Sequence, residues 1–276
     1  MIPFAKAHAC GNDFLIVTEY VIEGLDRAEL ARRLCARNTG VGADGVEYFA
    51  WSGLCAGRAR LHNADGSVAE ISGNGTRCVA AWMALQMDAR AGDVMRIETD
   101  AGVRVCRIDA IGAHGINSID VTTGMGVPAF AAEPGLRAIR LADGFAVYGV
   151  QVSMGNPHFV IVVDNAEFAV EGRAWQAIGA EICVHPEFPS QTNVEFVRIV
   201  SPGEIEIRIF ERGVGPTESS GTGSCASAAA AIALHGCGSP LLVVAPGGAQ
   251  AVTWSGLGTE LELTGPAAMI ATGEAW

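Results

Sequence analysis

The chain has 276 residues, 50% hydrophobic and 17% charged, which is enough for one large domain or two ordinary ones and excludes a disordered protein. A formal net charge of −12 disfavours nucleic acid and membrane surfaces as partners, so a small molecule is the expected partner. The eight cysteines show no zinc-site spacing, so we expect reduced thiols and no metal. The pattern of a leader or of a membrane-spanning stretch is not seen either, which predicts a cytoplasmic protein.

Taken in chain order, the predicted elements are mainly strands, with a few helices. The helices are predicted at 26–37, 77–87 and 226–235, and the clearest strands at 94–98, 103–108, 116–121, 147–152 and 194–200. Gly, Pro, Asp or Asn separate these segments, so the fold class is α+β. We expect a boundary near 124–128, giving domains 1–124 and 125–264, with 265–276 as a candidate to complete the first.

Two pairs of segments repeat in the same order. The Gly-Asn turn and apolar run at 11–17 resemble 155–162 at an offset of 144 residues, and each is typical of a loop entering a strand. The sequence SGNGT at 72–76 resembles SGTGS at 220–224 at an offset of 148, and both precede alanine-rich segments of high helix propensity. Either pair alone could be a chance similarity, because short glycine motifs recur often. Two pairs at nearly one offset favour an internal duplication.

Each glycine-rich loop is a candidate anion-binding site. A helix N-terminus presents backbone N–H groups and a positive dipole end, and glycines let an anion approach closely. If the repeats face each other across a cleft, both loops would grip one anion beside Ser72 and Ser220. The alternative is that both serines are ordinary N-caps. Neither loop has a Walker A sequence or a dinucleotide fingerprint, so a carboxylate is favoured over a phosphate.

Several motifs together resemble the diaminopimelate epimerase family. They are KxHxxGNDF at 6–14, GxGADG at 40–45, NADGS at 63–67, GNGxRC at 73–78, GNPH at 155–158, NVxF at 193–196, and ERGxG at 211–215 with GTG at 221–223. The resemblance covers nearly the whole chain. It implies two pseudo-symmetric domains, each a β-sheet wrapped around a central helix, and a homodimer. It also implies an epimerase without cofactor, independent of PLP, acting on an amino acid such as LL- or meso-diaminopimelate in lysine and peptidoglycan-precursor biosynthesis.

The resemblance also assigns roles to individual residues. Two cysteines in the family remove and return the α-proton from opposite faces, and their positions hold Ser72 and Ser220 here. The resemblance places Asn12, Asn63, Asn156, Asn193 and Arg212 at the distal groups of the substrate, Glu211 and His158 near the reacting amino group, and the backbone N–H groups of Gly73, Asn74, Gly221 and Thr222 at the reacting carboxylate. The alternatives are loop glycines for Gly73 and Gly221 and turn residues for Asn63 and Asn156.

The two serines put the chemistry in question. A thiol can be tuned to a thiolate at a helix N-terminus, whereas a serine hydroxyl is not ionised that easily. Three hypotheses follow: a Cys→Ser variant that traps ligand, a natural paralogue with another isomerase or dehydratase activity, and a binding protein that has lost its bases. Pro216 and Ser219, where the family usually has Glu and Ala, favour natural divergence. The candidate bases of a paralogue are Glu211, His158, Asp65 and Glu70.

Cys78 and Cys225 lie six and five residues after the two serines. In a helix they would point away from the start of the loop. We therefore predict that both are core residues, as buried cysteines usually are, and not replacement bases.

Overall fold

A computed structural model of the chain describes residues 1–69, 72–115, 117–131 and 134–276. Its helices are α1 (Arg27–Cys35), α2 (Gly73–Gln86), α3 (Trp175–Cys183) and α4 (Gly221–Leu234), with a 3-10 turn at Glu19–Ile22. Its strands are β1 (Ile2–Ala9), β2 (Asn12–Thr18), β3 (Gly45–Gly53), β4 (Ala56–Asn63), β5 (Val68–Ala69), β6 (Val94–Thr99), β7 (Gly102–Ile111), β8 (Ser118–Gly126), β9 (Ala129–Phe130), β10 (Arg137–Arg140), β11 (Ala146–Ser153), β12 (Pro157–Val163), β13 (Asn193–Ser201), β14 (Glu204–Glu211), β15 (Gly215–Thr217), β16 (Leu241–Ala245), β17 (Gly248–Trp254) and β18 (Leu261–Ala275).

Contacts divide the chain into two compact units. Unit 1 contains Met1–Gly124 and Thr264–Trp276, and unit 2 contains Met125–Leu263. In the part of the chain that the structure describes, no helix is both long and apolar enough to cross a membrane.

Unit 1 is a closed sheet around one helix. Strand β1 pairs with β18 and β2, then β2 with β3, β3 with β4, β4 with β6, β6 with β7 and β7 with β8, while β8 returns to β18. The pairs β2·β3 and β4·β6 are parallel, so each needs a crossover, which α1 and α2 supply. Helix α2 is buried on most sides because small residues such as Ala80, Ala81 and Ala84 let the sheet close around it.

Unit 2 repeats this order. Strand β11 pairs with β12, β12 runs parallel to β13, β13 pairs with β14, β14 runs parallel to β16, and β16 pairs with β17. Helices α3 and α4 make the two crossovers, and the alanine-rich α4 is the buried one. The same sequence of parallel and antiparallel pairs confirms the predicted α+β fold from an internal duplication.

The helices depart from the prediction in two ways. Helices α2 and α4 begin at Gly73 and Gly221, not at 77 and 226, because a serine hydroxyl caps each one and the glycine-rich segment becomes the first turn. Helix α3 was not predicted. It begins without a side-chain cap and contains Gly179, whose missing Cβ leaves room for Phe210. The predicted strand at 116–121 starts at a residue outside the described ranges.

Candidate functional site

In unit 2 the serine loop forms the first turn of α4. Ser220 is the N-cap, and its Oγ accepts a hydrogen bond from the backbone N–H of Gly223 at 3.1 Å. The first intrahelical bond of α4 runs from the N–H of Ser224 to the carbonyl of Ser220. The N–H groups of Gly221 and Thr222 precede that donor and have no intrahelical acceptor, so they are the groups that a helix start offers to an anion. Gly221 and Thr222 are largely buried, whereas Ser220 is half-buried.

A line of hydrogen bonds connects this loop to the core of unit 2. The Thr222 hydroxyl lies 3.5 Å from Ser220 Oγ and accepts a bond of 3.3 Å from Asn156 Nδ2. Asn156 Oδ1 lies 3.0 Å from His158 Nε2, and His158 Nδ1 lies 2.7 Å from Glu195 Oε1. The side chains of His158 and Glu195 are both fully buried. The structure therefore joins four predicted site residues to an acid that the sequence analysis did not single out.

Unit 1 holds the equivalent serine loop with a different support. Ser72 caps α2, and its Oγ accepts from the N–H of Gly75 at 3.0 Å. Asn74 Nδ2 donates to Asn12 Oδ1 at 3.2 Å. This bond joins the same positions as the bond between Asn156 and Thr222 in unit 2, where the asparagine of the Gly-Asn turn is the donor instead.

Charged side chains, not an imidazole, fix the amide orientations in unit 1. The fully buried Arg77 donates to Asn74 Oδ1 at 2.6 Å, and Asp44 Oδ2 accepts from Asn12 Nδ2 at 2.6 Å. Asp44 is in turn paired with Arg37. In both units, the asparagine of the Gly-Asn turn therefore bonds the second residue after the serine.

Two buried glutamates lie beneath the two loops at equivalent positions. A Cβ at Gly75 would collide with Glu47 Oε1, and a Cβ at Gly223 would lie 2.8 Å from Glu195 Oε1. Burial, with a smaller contribution from the charge of Asp100, raises the pKa of Glu47 to about 8. Burial also raises the pKa of Glu195, while the neighbouring His158 opposes that shift.

Sequence reasoning could have found this pair. The segments VEYF at 46–49 and VEFV at 194–197 repeat at an offset of 148 residues, which is also the offset of the serines. An acid inside an otherwise apolar strand is the signal, because a charged side chain is seldom fully buried without a specific partner.

The remaining predicted contacts cluster at the ends of β12, β13 and β14. Asn193 is largely buried, donates to the carbonyl of Pro157 and accepts from the backbone N–H of Arg212 at 2.9 Å. The exposed guanidinium of Arg212 donates to the carbonyl of Ser190 at 2.9 Å. Glu211 ends β14 and is half-buried. Asn193 thus orients the turn that presents Arg212.

The first-unit candidates Asn63 and Asp65 lie in one exposed turn. Asn63 donates to Ser67 Oγ at 3.0 Å, and Asp65 accepts from the N–H of Ser67 at 2.8 Å. Side-chain and backbone hydrogen bonds from Ser67 lower the pKa of Asp65, which makes it a weaker base. The fourth candidate base, Glu70, lies outside the described residues.

The two cysteines that follow the serines lie in the cores. Cys78 and Cys225 are fully buried within the apolar clusters around α2 and α4, which confirms the prediction. Burial raises the pKa of Cys78 well above its ordinary value, so it is not poised as a thiolate.

Known proteins resemble this chain over nearly its whole length. A sequence profile of the family described as diaminopimelate epimerase matches residues 4–130 and 150–270. Diaminopimelate epimerases of Microcystis aeruginosa and Desulfitobacterium hafniense are each 36% identical to the chain, with matches covering 99% and 97% of this chain and 98% and 96% of theirs.

Solved structures with the same fold are more distant in sequence. A hydroxyproline epimerase from Agrobacterium vitis superposes with a TM-score of 0.70 at 18% identity, covering 99% of this chain and 91% of that one. A protein described as a predicted epimerase from Pseudomonas aeruginosa gives a TM-score of 0.72 at 13% identity, covering 99% of both chains. At these identities the superpositions establish the fold alone.

Proposed function

The chain belongs to the diaminopimelate epimerase family, and we propose that it binds LL- and meso-diaminopimelate as an isomerase of the α-carbon. One observation carries the proposal. The two units repeat a serine-capped helix whose second residue is hydrogen-bonded to the asparagine of a Gly-Asn turn. Two equivalent anion-binding helix starts suit a ligand whose reacting carbon carries a carboxylate.

The ligand-binding roles follow from what each group can donate. The N–H groups of Gly73, Asn74, Gly221 and Thr222 bind the reacting carboxylate, and Arg212 binds the distal carboxylate with a planar, charged donor. The amides of Asn12, Asn63, Asn156 and Asn193 position the distal carboxylate and the distal amine of the ligand. Glu211 lies near the reacting amine. Because both ring nitrogens of His158 are engaged, it acts through Asn156 and does not touch the ligand.

The proposed chemistry divides binding from proton transfer. We assign Ser72 and Ser220 to the two positions from which the ligand's α-proton is removed and returned. A hydroxyl that accepts from a helix N–H group is polarised, yet it is far less acidic than a thiol in the same place. The serine form is therefore a weak epimerase with an intact binding site, working without PLP or another cofactor.

The setting of the enzyme is also a proposal. We propose a homodimer in the cytoplasm. All eight cysteines, which lie within the described ranges, are thiols and not disulfides, as a reducing compartment requires.

Isothermal titration calorimetry tests the binding site. The unmodified chain is expected to bind meso- and LL-diaminopimelate, and to bind lysine, which lacks one carboxylate, at least about tenfold more weakly. Arg212→Gln should lower the affinity for diaminopimelate by about tenfold or more and leave the affinity for lysine unchanged. Arg208→Gln is the matched control, since Arg208 lies on β14 with its guanidinium over Phe168. Failure of the unmodified chain to bind any of the three ligands would contradict the assignment.

A further inference from the structure

The acid beneath the second serine loop has a defined neighbourhood. Glu195 lies on β13 with its Oε1 against Gly223, in the first turn of α4, and 2.7 Å from Nδ1 of His158. Both side chains are fully excluded from solvent. A buried acid and a buried imidazole in contact hold a defined number of protons between them, because water cannot compensate a net charge there.

The neighbour on the other side of the ring decides that number. His158 Nε2 faces Asn156 Oδ1, which only accepts, while Asn156 Nδ2 donates to Thr222. In this amide orientation Nε2 carries a hydrogen. One proton is then shared in the bond between Nδ1 and Oε1, either as acid with neutral imidazole or as carboxylate with imidazolium. The pair is neutral overall in both forms.

The second oxygen of the acid favours the first form. Glu195 Oε2 is buried and has no hydrogen-bond partner among the described residues. A carbonyl oxygen tolerates that position better than a carboxylate oxygen, because an unpaired buried charge costs more than an unpaired dipole. Burial raises the pKa of Glu195 in the same direction. The acid therefore donates to Nδ1, and the imidazole donates through Nε2 to Asn156.

The protonation of His158 also affects the hydrogen bonds of Ser220 in the second serine loop. With its oxygen accepting from Asn156, the Thr222 hydroxyl has its own hydrogen directed away, and Ser220 Oγ lies 3.5 Å from it. Ser220 Oγ accepts from the N–H of Gly223, and the remaining hydrogen of the Thr222 hydroxyl can point to the same oxygen. Two donors on one oxygen favour negative charge on it. If the imidazole tautomer reversed, Asn156 would turn over and Thr222 would donate to Asn156 instead.

We propose that Glu195 is a positioning residue that fixes the tautomer of His158 and, through Asn156 and Thr222, the hydrogen-bonding state of Ser220. The proposal deepens the proposed function and rests on it only where ligand binding is concerned. Unit 1 has no equivalent device, because among the described residues no imidazole is hydrogen-bonded to Glu47, and Asp44 and Arg77 orient the amides there.

Two substitutions separate positioning from packing. Glu195→Gln keeps a donor for Nδ1 and should preserve the network, whereas Glu195→Met has similar size and no donor. Nitrogen-15 NMR of His158 in the ligand-free protein reports the tautomer. We expect the Nε2–H form in the unmodified chain and in E195Q, and a mixture with the Nδ1–H form in E195M. Finding the Nδ1–H form in the unmodified chain would overturn the proposal without any variant.

Calorimetry with meso-diaminopimelate gives the functional readout. We expect E195Q to bind within about twofold of the unmodified chain and E195M to bind about five- to tenfold more weakly. Glu47→Met, beneath the other loop, is the matched control and should leave the His158 spectrum unchanged. Unchanged affinity and tautomer in a folded E195M would overturn the proposal. Absence of binding by the unmodified chain would instead contradict the proposed function, and the NMR result would still decide the positioning role.

Discussion

Replacing both serines with cysteine, Ser72→Cys/Ser220→Cys, is expected to raise the rate of converting LL- to meso-diaminopimelate by about 10²- to 10⁴-fold, the usual range for a positioned acid–base group. A thiol with a reference pKa of about 8.5 can be a thiolate at neutral pH when it caps a helix, and a serine hydroxyl cannot. The caps are already in place, since each serine Oγ accepts from a first-turn N–H group. Chromatographic separation of the two isomers after timed incubation measures the rate.

The single variants and a surface control complete this prediction. Each single cysteine should support proton removal on one face and little net epimerisation, because the second base is missing. Ser255→Cys, at an exposed serine, controls for adding a reactive thiol. A double variant that binds ligand and remains as slow as the unmodified chain would show that the serines do not limit the reaction.

Glu47 is expected to make the protein lose stability as the pH rises. Its pKa is about 8 in the folded chain against an ordinary 4.5, so between these values the folded state binds more protons than the unfolded state. The stability present below pH 4.5 is therefore lost progressively up to pH 8, by an amount on the order of 5 kcal/mol at most. Glu47→Gln removes the titration, so the free-energy difference between variant and unmodified chain should grow over this range.

Urea unfolding at several pH values between 5 and 8.5 measures this difference. Glu23→Gln, at an exposed glutamate, is the control and should track the unmodified chain throughout. The expected result is similar stability of E47Q and the unmodified chain at pH 5 and a more stable E47Q at pH 8. Parallel curves for the two proteins would show that Glu47 is not a neutral acid in the folded state.

The repeat made much of the fold predictable. Two nearly equal offsets and the glycines between segments identify the duplication, and the alanine-rich segments indicate the two central helices. The starts of those helices were misplaced because glycine has low helix propensity, while the hydroxyl caps of Ser72 and Ser220 outweigh that cost. Helix α3 escaped prediction because its stability comes from packing against β13 and β14 and not from a capping signal.

The site was predictable as a set of residues and less so as a network. The motifs selected Asn156, His158 and Thr222, yet their mutual contacts depend on how β12, β13 and the first turn of α4 meet. Glu195 was missed because an acid in a strand is usually taken as its solvated face. Only the structure shows that this carboxyl is buried under Gly223 and bonded to the imidazole.

The central claim is that the serine form binds its ligand well but transfers the α-proton slowly. Deuterium incorporation at the α-carbon tests this claim most directly. The unmodified chain and Ser72→Cys/Ser220→Cys are each saturated with diaminopimelate in D₂O, and the loss of the α-proton signal is followed by NMR. We predict saturable binding by both proteins, with exchange at least about 10²-fold faster in the cysteine form. Equal exchange rates in the two proteins would contradict the account, because the serines would then be adequate bases or a different residue would remove the proton.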